Sequence, residues 1–310
     1  MSTPFAYEGT VRAAGGDRYA TAAALSRGSF APSPGSSVFL TSGEDFADAL
    51  AAGPAAAVED APLLLTAART LPEATRAELT RLRPERVHVI GGVGRVGEEV
   101  LAAVRAVLPG ASVDRTAGGD RYATAVAVAR TFFPGQQDSF VLAQGNAFAD
   151  AVSGAALAGG RAEPLLLTAP TDVPDVLASW LSDVDAGRVT VVGGTSSVPQ
   201  EVVREVDLFL SAVDAVQRLA GGDRYETSAA VARSGHPEAE VAVFATGQNF
   251  PDALAAVPAA AVNSAPLLLV PGTCTPASTG AYLSANTYLR GTIVVGDEGV
   301  LTASSTGRTC

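Results

Sequence analysis

The segment Gly15-Gly16-Asp17-Arg18-Tyr19-Ala20-Thr21 decides the organisation of this chain, because it occurs three times. It returns at the same interval as Gly118–Thr124 and as Gly221–Thr227, where Glu226 replaces the alanine. Self-similarity at a fixed period is the mark of an internal repeat. The 310-residue chain is therefore predicted to consist of three copies of one unit.

Three further blocks recur in the same order in the three units. The first is Gly-x-x-Phe-x-Asp-Ala, the second is Pro-Leu-Leu-Leu, and the third is Val-x-Val-x-Gly-Gly, which is weakened in the last unit. They occur at Ser42–Leu50, Gln144–Val152 and Thr246–Leu254; at Ala61–Thr66, Glu163–Thr168 and Ala265–Val270; and at Val87–Gly92, Val189–Gly194 and Thr292–Asp297. A unit of about a hundred residues is a small domain rather than a solenoid repeat. We divide the chain into modules 1–113, 114–216 and 217–310.

Each unit alternates short buried-type strands with helices. In the first unit, the strands are predicted at Val38–Thr41, Pro62–Thr66 and Val87–Ile90, and the helices at Asp17–Ser26, Phe46–Val58, Pro72–Leu82 and Glu98–Leu108. This alternation favours a mostly parallel sheet with right-handed crossovers. Because no Ser-, Gly- or Pro-rich linker separates the units, we expect an α/β protein whose three modules pack as an intramolecular, monomeric pseudotrimer.

Composition excludes several classes of protein. Hydrophobic residues make up 47% of the chain and charged residues 17%, which is typical of a globular protein. The net charge is −11 and lysine is absent, which argues against nucleic-acid binding, P-loop chemistry and Schiff-base chemistry. No apolar run is long enough to span a membrane. The chain as given shows no signal peptide at its start.

Two cysteines, Cys274 and Cys310, lie near the end of the sequence. An even count in this position favours a disulfide bond and a secreted protein. Two unrelated free thiols are the alternative.

The repeated turn offers the first candidate ligand residues. Each aspartate precedes a helical pattern, so it is a natural N-cap. Each arginine lies in the first helical turn, where positive charge is unfavourable, so it needs either an ion pair with a repeated aspartate or an anionic ligand. Each tyrosine either stacks on a sugar or fills a seam between modules. These candidates are Asp17, Asp120, Asp223, Arg18, Arg121, Arg224, Tyr19, Tyr122 and Tyr225.

The Gly-x-x-Phe-x-Asp-Ala block supplies the second set. It follows a strand and opens a helix, which places it at the carboxyl edge of the sheet, where open α/β folds bind ligands. Its glycine would allow close approach of the backbone, and its aspartate suits the positive end of the helix. The candidates are Gly43, Asp48, Gly145, Asp150, Gly247 and Asp252.

Residues typical of catalysis are scarce. His88 and His236 do not recur, and the carboxylate pair Asp45 and Asp48 exists in the first unit only. We predict no catalytic residue, no metal site, no cofactor and no enzymatic activity. Two alternatives are a structural scaffold that binds protein partners and a metal-dependent phosphoryl-transfer enzyme.

The sequence resembles the type 2 cell-wall-binding repeat family, which occurs as three tandem copies in surface-layer and other surface proteins of Gram-positive bacteria. The resemblance rests on Arg-x-x-Gly-Gly-Asp-Arg-Tyr-x-Thr at Arg12–Thr21, Arg115–Thr124 and Arg218–Thr227, together with the three other blocks. It covers nearly the whole chain, in order and in spacing.

The resemblance implies Toprim-like, Rossmann-like modules in a pseudotrimer, located at the cell wall outside the cell. It implies noncovalent binding to an anionic wall polymer, such as a teichoic-acid-like polymer or secondary wall polysaccharide, and an effector domain fused or adjacent to the anchor. It also implies a role in anchoring for the Pro-Leu-Leu motif at Pro62–Leu65, Pro164–Leu167 and Pro266–Leu269. The third unit departs from the pattern at Val270 and Asp297, and its closing helix is expected to be cut short by Ser304–Cys310.

Overall fold

Residues 9–303 and 309–310 are described by the structure, which is a computed structural model. Strands and helices alternate along the described chain, as predicted. The strands are β1 (Gly9–Ala13), β2 (Ser37–Ser42), β3 (Leu63–Thr66), β4 (Arg86–Ile90), β5 (Ser112–Thr116), β6 (Ser139–Gln144), β7 (Leu165–Thr168), β8 (Arg188–Val192), β9 (Val216–Leu219), β10 (Val241–Thr246), β11 (Leu267–Val270) and β12 (Gly291–Val295). The helices are α1 (Arg18–Ser29), α2 (Ala49–Val58), α3 (Glu73–Leu82), α4 (Glu98–Val107), α5 (Arg121–Phe132), α6 (Phe148–Arg161), α7 (Asp175–Val184), α8 (Gln200–Asp207), α9 (Arg224–Gly235), α10 (Pro251–Val262) and α11 (Ala277–Ala285).

The strands form three four-stranded sheets. Their orders are β3-β2-β4-β5, β7-β6-β8-β9 and β11-β10-β12-β1, and all of these pairs are parallel. The prediction of three α/β modules with parallel sheets is confirmed. The Toprim-like description stays a prediction.

The fourth strand of every sheet comes from the start of the next repeat, which the sequence analysis did not predict. β5 pairs with β4, β9 pairs with β8, and β1 closes the ring by pairing with β12, with Val11 opposite Ile293. These strands are short and only partly buried, as Ser-Val-Asp-Arg-Thr in β5 illustrates, so they lack the apolar run that marks the other strands. The proposed module boundaries at 113 and 216 fall inside β5 and at the first residue of β9.

Three alanine-rich helices, α2, α6 and α10, pack against one another at the centre of the molecule. Their small side chains allow the helices to approach closely. A β-carbon added to Gly53 of α2 would lie 2.7 Å from Cγ1 of Val257 in α10. One hydrophobic core therefore joins all three modules, and the predicted intramolecular pseudotrimer is confirmed.

The helices that follow the repeated turn lie at the seams between modules. α1 packs on β3 of the first sheet and also on α10 of the third module. In the same way, α5 packs on β7 and on α2 of the first module, and α9 packs on β11 and on α6 of the second module. The beginning of each of these helices is therefore placed beside a neighbouring module.

Cys274 and Cys310 form a disulfide bond, and the N–H of Cys310 donates to the carbonyl of Thr275. Residues 304–308 of the shortened terminal segment, and residues 1–8, where a signal peptide was sought, lie outside the described residues. Every helix in the described ranges falls short of the length and apolar character that a membrane span requires.

Candidate functional site

The repeated aspartates are helix N-caps. Oδ1 of Asp17 accepts a hydrogen bond from the N–H of Ala20 at 2.8 Å, and Asp120 does the same for Ala123. Asp223 caps two N–H groups, those of Tyr225 and Glu226. Oε2 of Glu226 accepts a hydrogen bond from the N–H of Gly222 at 2.7 Å. In a standard capping box it would accept from the N–H of the cap residue, here Asp223. All three aspartates are also exposed, so they remain accessible to a ligand.

The repeated arginines form a different contact from the predicted ion pair. Their Nη1 atoms donate to the carbonyl oxygens of Gly43, Gly145 and Gly247 at 2.5, 2.6 and 2.5 Å. In the part of the chain that the structure describes, none of the three forms a salt bridge, so the alternative of an ion pair with a repeated aspartate is wrong. Since one carbonyl does not use all the donors of a guanidinium, each arginine retains N–H groups for an anion.

Each guanidinium also lies over a phenylalanine ring from a neighbouring repeat. The distance from Cζ to the ring centroid is 6.0 Å for Arg18 and Phe250, 5.7 Å for Arg121 and Phe46, and 5.4 Å for Arg224 and Phe148. A cation over an aromatic face at this range is stabilised by the ring quadrupole. These cation–π contacts place the positive charge of each arginine between two modules. The sequence alone did not show this position.

The three phenylalanines of the Gly-x-x-Phe-x-Asp-Ala block meet one another. Their ring centroids are 5.6 to 6.5 Å apart in all three pairs. The interpretation of these rings as core residues therefore holds in part, because they pack on the central core while remaining partly exposed. The contact brings the carboxyl edges of the three sheets to a common centre, surrounded by the three arginines.

The glycine of this block accommodates a protein side chain rather than a ligand. A β-carbon on Gly43 would lie 2.8 Å from Cε1 of Tyr19. The equivalent distances are 2.8 Å for Gly145 and Tyr122 and 2.6 Å for Gly247 and Tyr225. The tyrosines are partly buried against the central core, and burial raises the pKa of Tyr19 and Tyr122. Of the two roles predicted for the tyrosines, these contacts match packing rather than an exposed platform for a sugar.

The aspartate of the block faces the loop after the third strand of its own sheet. Gly91, Gly193 and Gly296 in these loops have positive φ, and a β-carbon there would lie 3.0, 2.8 and 3.0 Å from Oδ2 of Asp48, Asp150 and Asp252. Burial raises the pKa of Asp48, although a hydrogen bond to Thr124 of the next repeat and the charges of Arg95 and Arg121 oppose it. Burial and the nearby carboxylate of Asp297 raise the pKa of Asp252 to about 6, against the effect of Arg18.

These elements build three clefts, each between the carboxyl edge of one sheet and the Gly-Gly-Asp-Arg turn of the next repeat. Cleft 1 is the equivalent place in the first repeat, where Asp48 lies near Asp45, Arg95 and Arg121. Cleft 2 is a cavity of about 380 Å³ lined by residues that include Phe148, Asp150, Ser197, Gly221, Asp223 and Arg224. Cleft 3 is a cavity of about 200 Å³ lined by residues that include Asp17, Arg18, Asn249, Asp252, Asp297 and Val300. The structure thus brings the predicted arginines and both sets of aspartates together.

The Pro-Leu-Leu-Leu motif contributes to the core. Its leucines form β3, β7 and β11, and each is at most 2% exposed. Their side chains therefore cannot contact a polymer in this structure. Among residues 9–303 and 309–310, no cluster of three or more His, Cys, Asp or Glu side chains has the arrangement of a metal site.

The family model for cell wall binding domain 2 (CWB2) matches three stretches of the chain, residues 12–101, 115–203 and 218–305. The chain belongs to the CWB2 family. The matched stretches begin at the arginine of each Arg-x-x-Gly-Gly-Asp-Arg-Tyr motif, and together they include all three clefts. Membership of this family identifies a cell-wall-binding protein of three repeats, as the sequence predicted.

Two solved structures from Clostridium difficile share the fold. Cwp6 is 27% identical with a TM-score of 0.87 over 96% of this chain, and Cwp8 is 25% identical with a TM-score of 0.84 over 95%. Two proteins of Bacillus subtilis (strain 168) are similar in sequence: N-acetylmuramoyl-L-alanine amidase LytC at 29% identity over 88% of this chain, and an amidase enhancer at 28% over 87%. The chain spans 48% of Cwp6, 50% of Cwp8, 52% of LytC and 36% of the amidase enhancer.

Proposed function

We propose that this protein anchors noncovalently to an anionic polymer of the Gram-positive cell wall, of the teichoic-acid or secondary wall polysaccharide type, through the arginine-bearing clefts. The observation that carries this proposal is the set of three guanidinium groups that form no salt bridge with any carboxylate in residues 9–303 and 309–310. Each donates to a glycine carbonyl and lies over an aromatic ring of a neighbouring repeat, and Arg121 also donates to Oδ1 of Asn146.

The chemistry of the clefts suits an anionic polysaccharide. A guanidinium bound to phosphate or carboxylate forms short, charge-assisted hydrogen bonds. The neighbouring aspartates are acceptors for sugar hydroxyl groups. The net charge of −11 gives no long-range attraction for such a polymer, so affinity depends on the local arginines inside a Debye length of about 8 Å.

The protein itself is proposed to bind without catalysis and to act outside the cell. One of the relatives that it matches over about half its length is named an amidase. By analogy, the anchor is proposed to hold a further activity at the wall, in the same chain or beside it. It is proposed to do so as a monomer, since the three modules already bury their shared core.

The test is co-sedimentation with purified Gram-positive walls, before and after acid extraction of their anionic polymers. Binding is expected to disappear with extraction. The triple variant R18A/R121A/R224A is expected to lose at least tenfold in affinity, since even one hydrogen bond to a charged group contributes about 1.5–3 kcal/mol.

A matched control removes three arginines outside the clefts. Arg76, Arg204 and Arg233 are exposed helical residues, one from each repeat. R76A/R204A/R233A changes the net charge equally and is expected to bind like the wild type. Full binding by a folded cleft variant, or undiminished binding to extracted walls, would refute the proposal and favour a protein partner.

A further inference from the structure

The three clefts are related by the repeat but differ in the side chains that face the arginine. Position 45 is aspartate in the first repeat, and its equivalents are Ala147 and Asn249. The residue four positions after the positive-φ glycine is Arg95 in the first repeat, and its equivalents are Ser197 and Val300. The clefts therefore offer three different electrostatic environments to the same ligand.

Cleft 1 is occupied by an internal ion pair. Nη2 of Arg95 lies 2.8 Å from Oδ2 of Asp45, and both charges act on the partly buried carboxyl of Asp48. Arg115, behind this cleft, is also satisfied, because it donates to the carbonyl of Gly91 and to the carboxylate of Glu98. An anion entering cleft 1 would have to compete with the carboxylate that Arg95 already binds.

Cleft 3 carries excess negative charge. Asp297 stands where the other repeats have Gly92 and Gly194, and its carboxylate is close enough to raise the pKa of Asp252. Among the described residues that line this smaller cavity, three are aspartates, Asp17, Asp252 and Asp297, and one is a cation, Arg18. An anionic group here would meet repulsion from three carboxylates.

Cleft 2 has donors without partners. Arg224 is the most exposed of the three repeated arginines, and Ser197 replaces the ion-paired Arg95. In the described structure, two buried donors at this place have no hydrogen-bond partner: Oγ of Ser197, which lines the cavity, and Nη2 of Arg218, whose Nη1 donates to the carbonyl of Gly193. The position of Glu98, which satisfies Arg115 in the first repeat, is Gln200 here.

We infer that cleft 2 is the principal binding site, so that one protein molecule holds one anionic sugar unit of the polymer rather than three. The anionic group, phosphate or carboxylate, binds Arg224 and the Ser197 hydroxyl, while Asp150 accepts from the hydroxyl groups of the same sugar. This inference rests on the proposed function and assigns its specificity to one of the three clefts.

The experiment compares single variants in binding to purified walls, with thermal unfolding as the measure of folding. R224A is expected to lose at least tenfold in affinity, and R18A and R121A at most twofold. Equal losses in the three single variants would overturn the inference while leaving the proposed function intact. No loss even in the triple variant would overturn the proposed function itself.

Two double variants exchange the clefts without removing a repeated arginine. Ala147→Asp with Ser197→Arg gives cleft 2 the ion pair of cleft 1 and is expected to reduce affinity at least tenfold. Asp45→Ala with Arg95→Ser gives cleft 1 the residues of cleft 2, and the stoichiometry with soluble polymer released from the walls is expected to rise from one site to two. A wild-type stoichiometry of three would contradict the inference.

The chemical source of the anion is distinguished by competition. Oligomers of glycerol phosphate and oligomers of glucuronate are added separately to the wall-bound protein. Release by one of them identifies phosphate or carboxylate as the recognised group, provided that the Ala147→Asp/Ser197→Arg variant no longer binds it. If that variant binds the releasing oligomer as well as the wild type does, the oligomer binds elsewhere, and the assignment to cleft 2 is overturned.

Discussion

The guanidinium of Arg224 lies over the ring of Phe148, with Cζ 5.4 Å from the ring centroid, although the two residues belong to different repeats. The ring belongs to the cluster where the carboxyl edges of the three sheets meet, and the guanidinium projects at cleft 2. Packing of the modules and display of the positive charge therefore depend on the same contact.

Phe148→Leu is expected to weaken wall binding about two- to fivefold, because leucine keeps much of the volume but loses a cation–π interaction of about 0.5–1 kcal/mol. Phe250→Leu is the matched control, since Phe250 makes the same contact with Arg18 in cleft 3. Binding isotherms on purified walls check both variants. Equal losses of affinity would contradict the assignment of binding to cleft 2.

Asp252 makes the stability of the protein dependent on pH. Its pKa is raised to about 6 by burial and by Asp297, so the folded protein holds this proton more tightly than the unfolded chain does. The stability gained from that proton is complete below about pH 4 and is lost as the pH rises to about 6. Asp252→Asn is therefore expected to be more stable than the wild type at pH 7, by on the order of 2–3 kcal/mol, and nearly equal to it at pH 4.

Urea unfolding of both proteins across this pH range measures the difference. Asp297→Asn provides an independent check, because removal of that carboxylate is expected to lower the pKa of Asp252 in an NMR titration. A stability difference that does not change between pH 4 and pH 7 would show that the Asp252 carboxyl is not perturbed as described.

Close packing of the central helices is tested at Gly53. Alanine at this position would place its methyl group 2.7 Å from Val257, so we expect Gly53→Ala to destabilise the protein by about 1–3 kcal/mol. Gly280 in α11 is the control, because a β-carbon there meets no atom within 4 Å. Gly280→Ala is expected to stabilise by about 0.5–1 kcal/mol, through helix propensity alone. Chemical denaturation distinguishes the two, and the same sign for both would be inconsistent with the helix packing.

Because β1 pairs with β12, a substitution in β1 is expected to destabilise the third sheet. The N–H of Gly9 donates to the carbonyl of Arg290, and alternate residues of a strand present their N–H groups to the same side, so Val11 also faces β12. Val11→Pro is expected to raise amide hydrogen exchange in β12 and β10 of the third sheet. Increased exchange confined to β2 and β4, in the module nearest in sequence, would disprove the pairing.

The disulfide bond closes a loop that spans a sequence separation of 36 residues. By the loop-entropy relation, its removal is expected to cost about 4 kcal/mol. The variant Cys274→Ala/Cys310→Ala should therefore melt at a lower temperature than the wild type in calorimetry. It should respond no further to a reducing agent, whereas the wild type should. An unchanged melting temperature would mean that this segment unfolds independently of the cooperative core.

Sequence reasoning reached the fold because the repeat is visible without structural information. The buried strands of each unit are continuous apolar runs, and helices such as Glu98–Val107 begin and end within a few residues of their predicted bounds. The exchange of the fourth strand was missed, because Ser112–Thr116 reads as a polar loop and its partner β4 lies in the preceding repeat.

Prediction of the site was less complete. The structure shows how the three predicted arginines are held, and their anomaly at the positive end of a helix was the signal that singled them out. Their role in binding stays a prediction. Their stabilising partners were missed, because a carbonyl of a glycine and a ring from another repeat leave no local pattern in the sequence. The clefts differ in sequence at positions 45 and 95 and their equivalents, but only the fold shows that the side chains at these two positions contact each other.

The most direct measurement is a crystal structure of the protein with a soluble fragment of the purified wall polymer. Density for a phosphate or carboxylate group is predicted within hydrogen-bond distance of Arg224 and Ser197, in the cleft between the second and third repeats. Ordered polymer bound on the outer helices, with the three arginines uncontacted, would contradict the account.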